Sequence, residues 1–262
     1  MDKKNYLSHE EQILIQEIKK TEVIDNSFIK EIFPKYSSQK INKICHNLIS
    51  KGYLYKIKKG SYLVNEKPSK KPTITNPFKI APYINKGYLG FSSALRLYDL
   101  TSYEPFTIFI VTKNKSKETE IGKYLFKTIS MGKKATGSTF YKDVYTSTIE
   151  KTFFDCFYKP QYAGGYKKII NAFTNKPQIK WQKFLYYFEK YASESLFQRT
   201  GYILELLIEN KIINPPKYLL NKFKTHIGNK TKLLPSKESK GSYIKQWKLI
   251  DNIGKKELFS EG

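Results

Sequence analysis

Cysteine, histidine and arginine are all scarce in this chain, and each shortage narrows what it can do. Cys45 and Cys156 are the only two cysteines in 262 residues. One sits on an apolar helix stripe and the other in an apolar run, so buried, reduced thiols are expected rather than a disulfide framework. The histidines are His9, His46 and His226. No Cys-x-x-Cys, His-x-x-x-His or acidic cluster gives metal-ligand spacing, so neither a metal nor another cofactor is expected. No hydrophobic run approaches the roughly 18 residues of a membrane span, and the opening MDKKNYLSHEEQ is charged with no apolar segment. The expectation is a cytoplasmic protein without membrane association. Catalytic signatures are thin as well. There is no glycine-rich loop ending in Gly-Lys-Ser/Thr and no Gly-x-Ser-x-Gly elbow, and Gly164-Gly165 reads as a turn. Gly137-Ser138 is followed by Asp143-Val144-Tyr145, which lacks the spacing and the second acid of a nucleotidyltransferase site. Glu150, next to Lys151, reads as a helix cap rather than as a nuclease acid. These absences favour a binding protein over an enzyme.

Lysine, by contrast, is abundant. Lys and Arg total 47 against 23 Asp and Glu, for a net charge of +24, and Arg96 and Arg199 are the only arginines. Such a balance favours polyanionic partners. Lysine accompanied by so much Ile, Asn and Tyr is also what A+T-rich coding produces, so charge clustered on one element says more than the total.

That clustering occurs between Ser37 and Val64. Ile41, Ile44, Cys45, Leu48 and Ile49 recur at helical spacing and predict one stripe packed on a core. The remaining positions, Ser38, Gln39, Lys40, Asn42, Lys43, His46 and Asn47, form a face of donors and cations with no acid, the chemistry that a helix in a DNA groove needs. Gly52 stops the helix. Tyr53 to Ile57 and Ser61 to Val64, joined by Lys58, Lys59 and Gly60, predict a β-hairpin with a basic tip, to which Lys56 adds a further cation. Upstream, Ser8 and Glu11 form a capping box for a helix reaching about Thr21. Asp25-Asn26-Ser27 recaps a second helix that ends before Pro34. Helix, helix, turn, helix and basic hairpin together read as a winged helix-turn-helix that binds double-stranded DNA. Gln39 and Asn42 would contact bases, and Lys56, Lys58 and Lys59 would contact phosphate.

The expected fold class is α+β: a winged helix-turn-helix domain over 1–66, a Pro/Lys linker over 67–77, and a larger mixed α/β domain over 78–262. Pro68, Pro72 and Pro77 exclude helix interior and central strand from the linker. In the larger domain Ser92 is placed as the cap of a helix holding Ala94, Leu95 and Leu97. Phe106 to Thr112, Lys123 to Ser130 and Val144 to Thr146 read as strands, and Ser147 to Glu150 as a second capping box. Helices follow over Tyr166 to Phe173, Trp181 to Tyr191 and Glu194 to Glu209, with another begun by Pro216. A strand pair around Leu233 and Tyr243 to Ile250 completes the domain.

Several separated stretches together resemble the AbiEi-type antitoxins of type IV toxin-antitoxin systems, transcriptional regulators linked to phage defence. They are Leu48 to Tyr62, then Gly87 to Leu95, then Tyr145 to Asp155, then Gln198-Arg199-Thr200-Gly201-Tyr202-Ile203-Leu204-Glu205, with Leu234-Pro235, Gly241 and Trp247 near the end. Their order and spacing over most of the chain carry the likeness. The resemblance implies a DNA-binding N-terminal domain that represses its own operon. It also implies a C-terminal domain that counteracts a nucleotidyltransferase-like toxin. Arg199 is the candidate for the antitoxin surface, because a planar guanidinium kept in a lysine-coded chain can hold a carboxylate or phosphate bidentately. An ion pair within the domain, for instance with Asp155, is the alternative for Arg199. For the whole chain the alternatives are a regulator without a toxin and a nucleic-acid-processing enzyme.

Overall fold

The computed structural model describes residues 6–102 and 104–260, a mixed α/β fold with eleven α-helices and several sheets. No helix among the described residues is long and apolar enough to cross a membrane.

His9–Ile18 (α1) is opened by a complete capping box: Ser8 Oγ accepts from the Glu11 amide at 3.3 Å, and Glu11 Oε2 accepts from the Ser8 amide at 2.9 Å. Val23–Asp25 (β1) is a short strand that the sequence reading lacks, because Asp25 looks like a cap alone. It serves as both, ending β1 and accepting the Phe28 amide at 3.0 Å to cap Asn26–Ile32 (α2). Ser38–Ser50 (α3) is capped by Ser37 and buries Ile41, Ile44, Cys45 and Leu48, leaving Ile49 half-buried. At its end the Tyr53 amide reaches the Leu48 carbonyl (2.9 Å) and Gly52 takes φ +80°, the left-handed stop expected of it. Leu54–Lys58 (β2) and Ser61–Val64 (β3) form the hairpin, with Lys59 and Gly60 at its turn. Strand β3 also pairs antiparallel with β1, so the sheet runs β1-β3-β2. Leu14, Ile18, Ile24 and Ile29 close the core against the α3 stripe, each contributing about 1.5–3 kcal/mol by leaving water.

Residues 65–76 join no helix or strand, as their prolines require. Pro77 does not end this stretch. It is the first residue of Pro77–Ile84 (α4), whose cap Asn76 accepts the Phe78 amide at 3.0 Å. Tyr88–Leu89 (β4) and Phe91–Leu97 (α5) come next, then Thr107–Thr112 (β5), Lys117–Ile121 (β6) and Tyr124–Ser130 (β7). Strand β7 pairs parallel with β5 and antiparallel with β6. Contacts group the chain into two units, Met1–Tyr88 with Phe106–Ser130, and Leu89–Pro105 with Met131–Gly262. The first therefore takes in the 67–77 segment together with β5, β6 and β7.

In the second unit Gly90, not Ser92, holds the cap position of α5, without a side-chain hydrogen bond. Ser138–Tyr141 (β8) pairs antiparallel with Val144–Ser147 (β9), and β9 pairs parallel with β4. Ile149–Tyr158 (α6) starts without the expected capping box. Ser147 Oγ bonds Thr152 Oγ1 at 2.7 Å, and buried Glu150 turns to a distant amide, that of Lys180 at 3.2 Å. Glu150 thus braces the start of Trp181–Tyr191 (α8), beyond Gly165–Thr174 (α7). Glu194–Glu209 (α9) and Lys217–Lys224 (α10) complete a core rich in packed rings, with centroids 4.1 Å apart for Phe153 and Phe173 and 4.8 Å for Phe184 and Phe188. Pro216 is the residue before α10 rather than within it. Tyr243 to Ile250 is not one strand. Ser242–Ile244 (β11) and Leu249–Asp251 (β12) are separated by a turn over Lys245–Trp247 and by Lys248 at φ +42°, which drops Trp247 into the core. Strand β12 lies between β11 and Thr231–Lys232 (β10), and Lys255–Phe259 (α11) follows.

Candidate nucleic-acid interface

The buried stripe of α3 fixes which residues it presents. With Ile41, Ile44, Cys45 and Leu48 inward, Ser38, Gln39, Lys40, Asn42, Lys43 and His46 are all exposed. Helix α1 braces both ends of α3. Near the start, Lys40 Nζ lies 3.2 Å from Glu10 Oε1 and 3.8 Å from the centre of the Tyr36 ring. The hydrogen bond to Glu10 holds the Lys40 ammonium above its ordinary pKa. Lys40 thus stays exposed beside Lys43, as the sequence reading had it, while its ammonium is tied to α1. At the other end Lys51 pairs with Glu11, which is only 1% exposed. Burial pushes the Glu11 carboxyl up, but hydrogen bonds from Lys51, the Ser8 amide and Asn47 outweigh it and leave its pKa lowered. Asn47 thus turns toward α1 rather than joining the outer face.

The hairpin adds Lys56, Lys58 and Lys59, all exposed. A register shift between Lys56 and Lys58 breaks the strict alternation of β2. Gly60 at φ +76° closes the turn, and its carbonyl accepts the Asn26 amide at 2.9 Å, which ties the tip to the start of α2. Beneath the sheet, burial raises the pKa of Tyr62 to about 12 and pushes up the neighbouring Cys45 thiol, so both stay neutral.

Arg199 lies elsewhere, in the second unit. Its Nε donates to the Lys232 carbonyl at 2.8 Å and its Nη2 to Thr231 Oγ1 at 3.0 Å, so it fastens α9 to β10. Asp155 is not its partner, because that carboxylate pairs with Lys151 four residues earlier on α6. The residues around Arg199 dock on the same small sheet. Gln198 Nε2 donates to the Trp247 carbonyl at 2.8 Å, and Tyr202 Oη donates to Asp251 Oδ2 at 2.8 Å. Gly201 lies so close to Trp247 that a Cβ would stand 2.2 Å from the indole. Half-buried Arg199 also borders a cavity of about 610 Å³ that includes Tyr158, Tyr166 and Glu257. No group of three or more His, Cys, Asp or Glu able to hold a metal occurs among the described residues.

No protein-family model matches the chain, and no curated protein matches it. Among solved structures it is similar to the RV2827C protein from Mycobacterium tuberculosis, with a TM-score of 0.65 over 95% of this chain and 93% of that one. The two sequences are 10% identical, so the likeness speaks for the fold alone.

Proposed function

We propose that α1, α2, α3 and the β2–β3 hairpin form a winged helix-turn-helix that binds double-stranded DNA. In this reading the chain is a transcriptional repressor of its own operon and an antitoxin, and acts by binding rather than by catalysis. The supporting observation is the exposed face of α3, which has amides, a hydroxyl, an imidazole and cations but no acid, beside a hairpin with three exposed lysines. Gln39 and Asn42 can each pair with adenine through two hydrogen bonds, worth roughly 1–3 kcal/mol of discrimination. Lys43, Lys56, Lys58 and Lys59 supply phosphate contacts that fix register without reading sequence. The antitoxin role, and a nucleotidyltransferase-like toxin as partner, rest on the resemblance of the sequence stretches given above. Arg199, at the border of its cavity, is the residue this reading assigns to the toxin-facing surface.

Fluorescence anisotropy on the DNA immediately upstream of the gene tests the reading. Changing Gln39→Ala with Asn42→Ala should flatten base preference. Lys58→Ala with Lys59→Ala should weaken all duplexes alike and lower the log-log salt slope by roughly 2. Wild-type preference and wild-type slope in both double variants would refute the interface.

A further inference from the structure

The stretch after the hairpin is pinned in place. Asn65, buried at 2% exposure, donates from Nδ2 to the Gly52 and Ser69 carbonyls (2.8 and 3.0 Å) and accepts the Thr73 amide at 2.9 Å. The Ser69 amide returns to the Gly52 carbonyl at 2.9 Å. Further on, Glu22 Oε1 accepts from the Thr75 amide (3.0 Å), the Thr75 hydroxyl (2.9 Å) and the Asn76 amide (2.9 Å). Between these anchors Pro72 packs on the β6–β7 turn, where a Cβ on Gly122 would stand 3.3 Å from the proline ring. The loop and that turn border an open cleft of about 610 Å³ with Tyr55 of β2. Its walls carry Tyr55 and Tyr124 together with Lys70, Lys71 and Lys123, and none of its lining residues is acidic. All three lysines are exposed, and Lys123 Nζ lies 5.3 Å from the Tyr124 ring centroid.

We infer that this cleft takes the phosphodiester backbone of duplex DNA beyond the hairpin, so that the interface extends past residue 66 to the β6–β7 turn. This rests on the DNA-binding reading and deepens it. Three like charges gathered in one cleft without an acid repel one another, a cost that a polyanion removes. The cleft adjoins the hairpin directly, since Tyr55 of β2 is one of its lining residues. The hydrogen bonds of Asn65 and Glu22 hold the loop backbone before any ligand arrives, so less ordering entropy is spent on binding.

The test uses the full chain and two mixed-sequence duplexes, of about 12 and about 30 base pairs, titrated over salt. The Lys70→Ala, Lys71→Ala, Lys123→Ala triple variant should lower the log-log slope on the longer duplex by about 3 and leave the shorter nearly unchanged. Lys58→Ala with Lys59→Ala should lower it on both. A triple variant with the wild-type slope on both duplexes overturns the cleft, while the hairpin variant still reports on the interface as a whole. If wild-type protein binds neither duplex, both readings fall. Lysine acetylation footprinting of the unaltered protein gives a second measurement: the longer duplex should protect Lys70, Lys71 and Lys123. Protection by inorganic phosphate or a mononucleotide, but not by duplex, would assign the cleft to a free anion and overturn the inference.

Discussion

Lys151 and Asp155 form an ion pair one turn apart on α6 with both side chains 0% exposed, and replacing both should strengthen the fold. Taking a carboxylate and an ammonium out of water costs several kcal/mol per ion, repaid only when every polar atom is satisfied. Here the accounts do not balance. Among the described residues Asp155 Oδ2 has no hydrogen-bond partner, and Lys151 Nζ bonds Asp155 Oδ1 while otherwise lying over the rings of Phe154 (5.2 Å) and Tyr187 (5.9 Å). Burial accordingly pushes the Asp155 carboxyl up to about 6 and the Lys151 ammonium down. Lys151→Met alone strands a buried carboxylate and should destabilise by about 3–5 kcal/mol. Lys151→Met with Asp155→Leu removes both desolvation penalties and should stabilise by roughly 1–4 kcal/mol. The measurement is urea unfolding of both single variants and the double variant, closed as a double-mutant cycle. The pH dependence has a definite sign: because the folded pKa of Asp155 lies above its unfolded value, this group's contribution falls as pH rises from the carboxylate range to about 6. That decline should vanish in the double variant. A double variant as unstable as Lys151→Met alone would refute the reasoning.

Gly201→Ala should destabilise, because the roughly 1 kcal/mol gained in helix propensity is outweighed by a methyl forced onto the buried Trp247 ring. A melting temperature at or above wild type would contradict the close contact described. For Glu11, whose folded pKa is lowered, stability is fully present above the ordinary carboxylate range and lost as pH falls through the folded value. Glu11→Gln should therefore give a shallower acid unfolding profile, and an unchanged profile would mean that the Lys51 pair does not hold α1 on α3.

What the sequence made legible was local. The Ser8–Glu11 box, the recapping at Asp25 and the Gly52 stop each depend on residues within a turn of one another, and all are present in the structure. The same pattern at Ser147–Glu150 did not form a box, because α6 starts one residue later, with Thr148 in the cap position, so Glu150 falls at the second helical position and its carboxylate turns to the Lys180 amide, which only the tertiary fold brings near. Strands β1, β4 and β10 are two or three residues long and are defined by their partners rather than by any pattern of their own. The α3 face was readable because burial of four apolar residues decides it. The engagement of Lys40 by Glu10, the docking of Arg199 on β10 and the cleft at Lys123 were not, since each joins residues far apart in the chain.

The division of labour on α3 bears on how such a protein can change over generations. The residues that hold the helix, namely the four in its core and the Lys40 and Lys51 contacts to α1, are different from the exposed Ser38, Gln39, Asn42, Lys43 and His46. Substitutions at exposed helix positions usually shift stability by less than about 0.5 kcal/mol. In the DNA-binding reading proposed above, the outward positions can therefore change their base preference with the scaffold intact, and directed libraries at those five sites that leave out proline and glycine would sample altered preferences at little cost in stability.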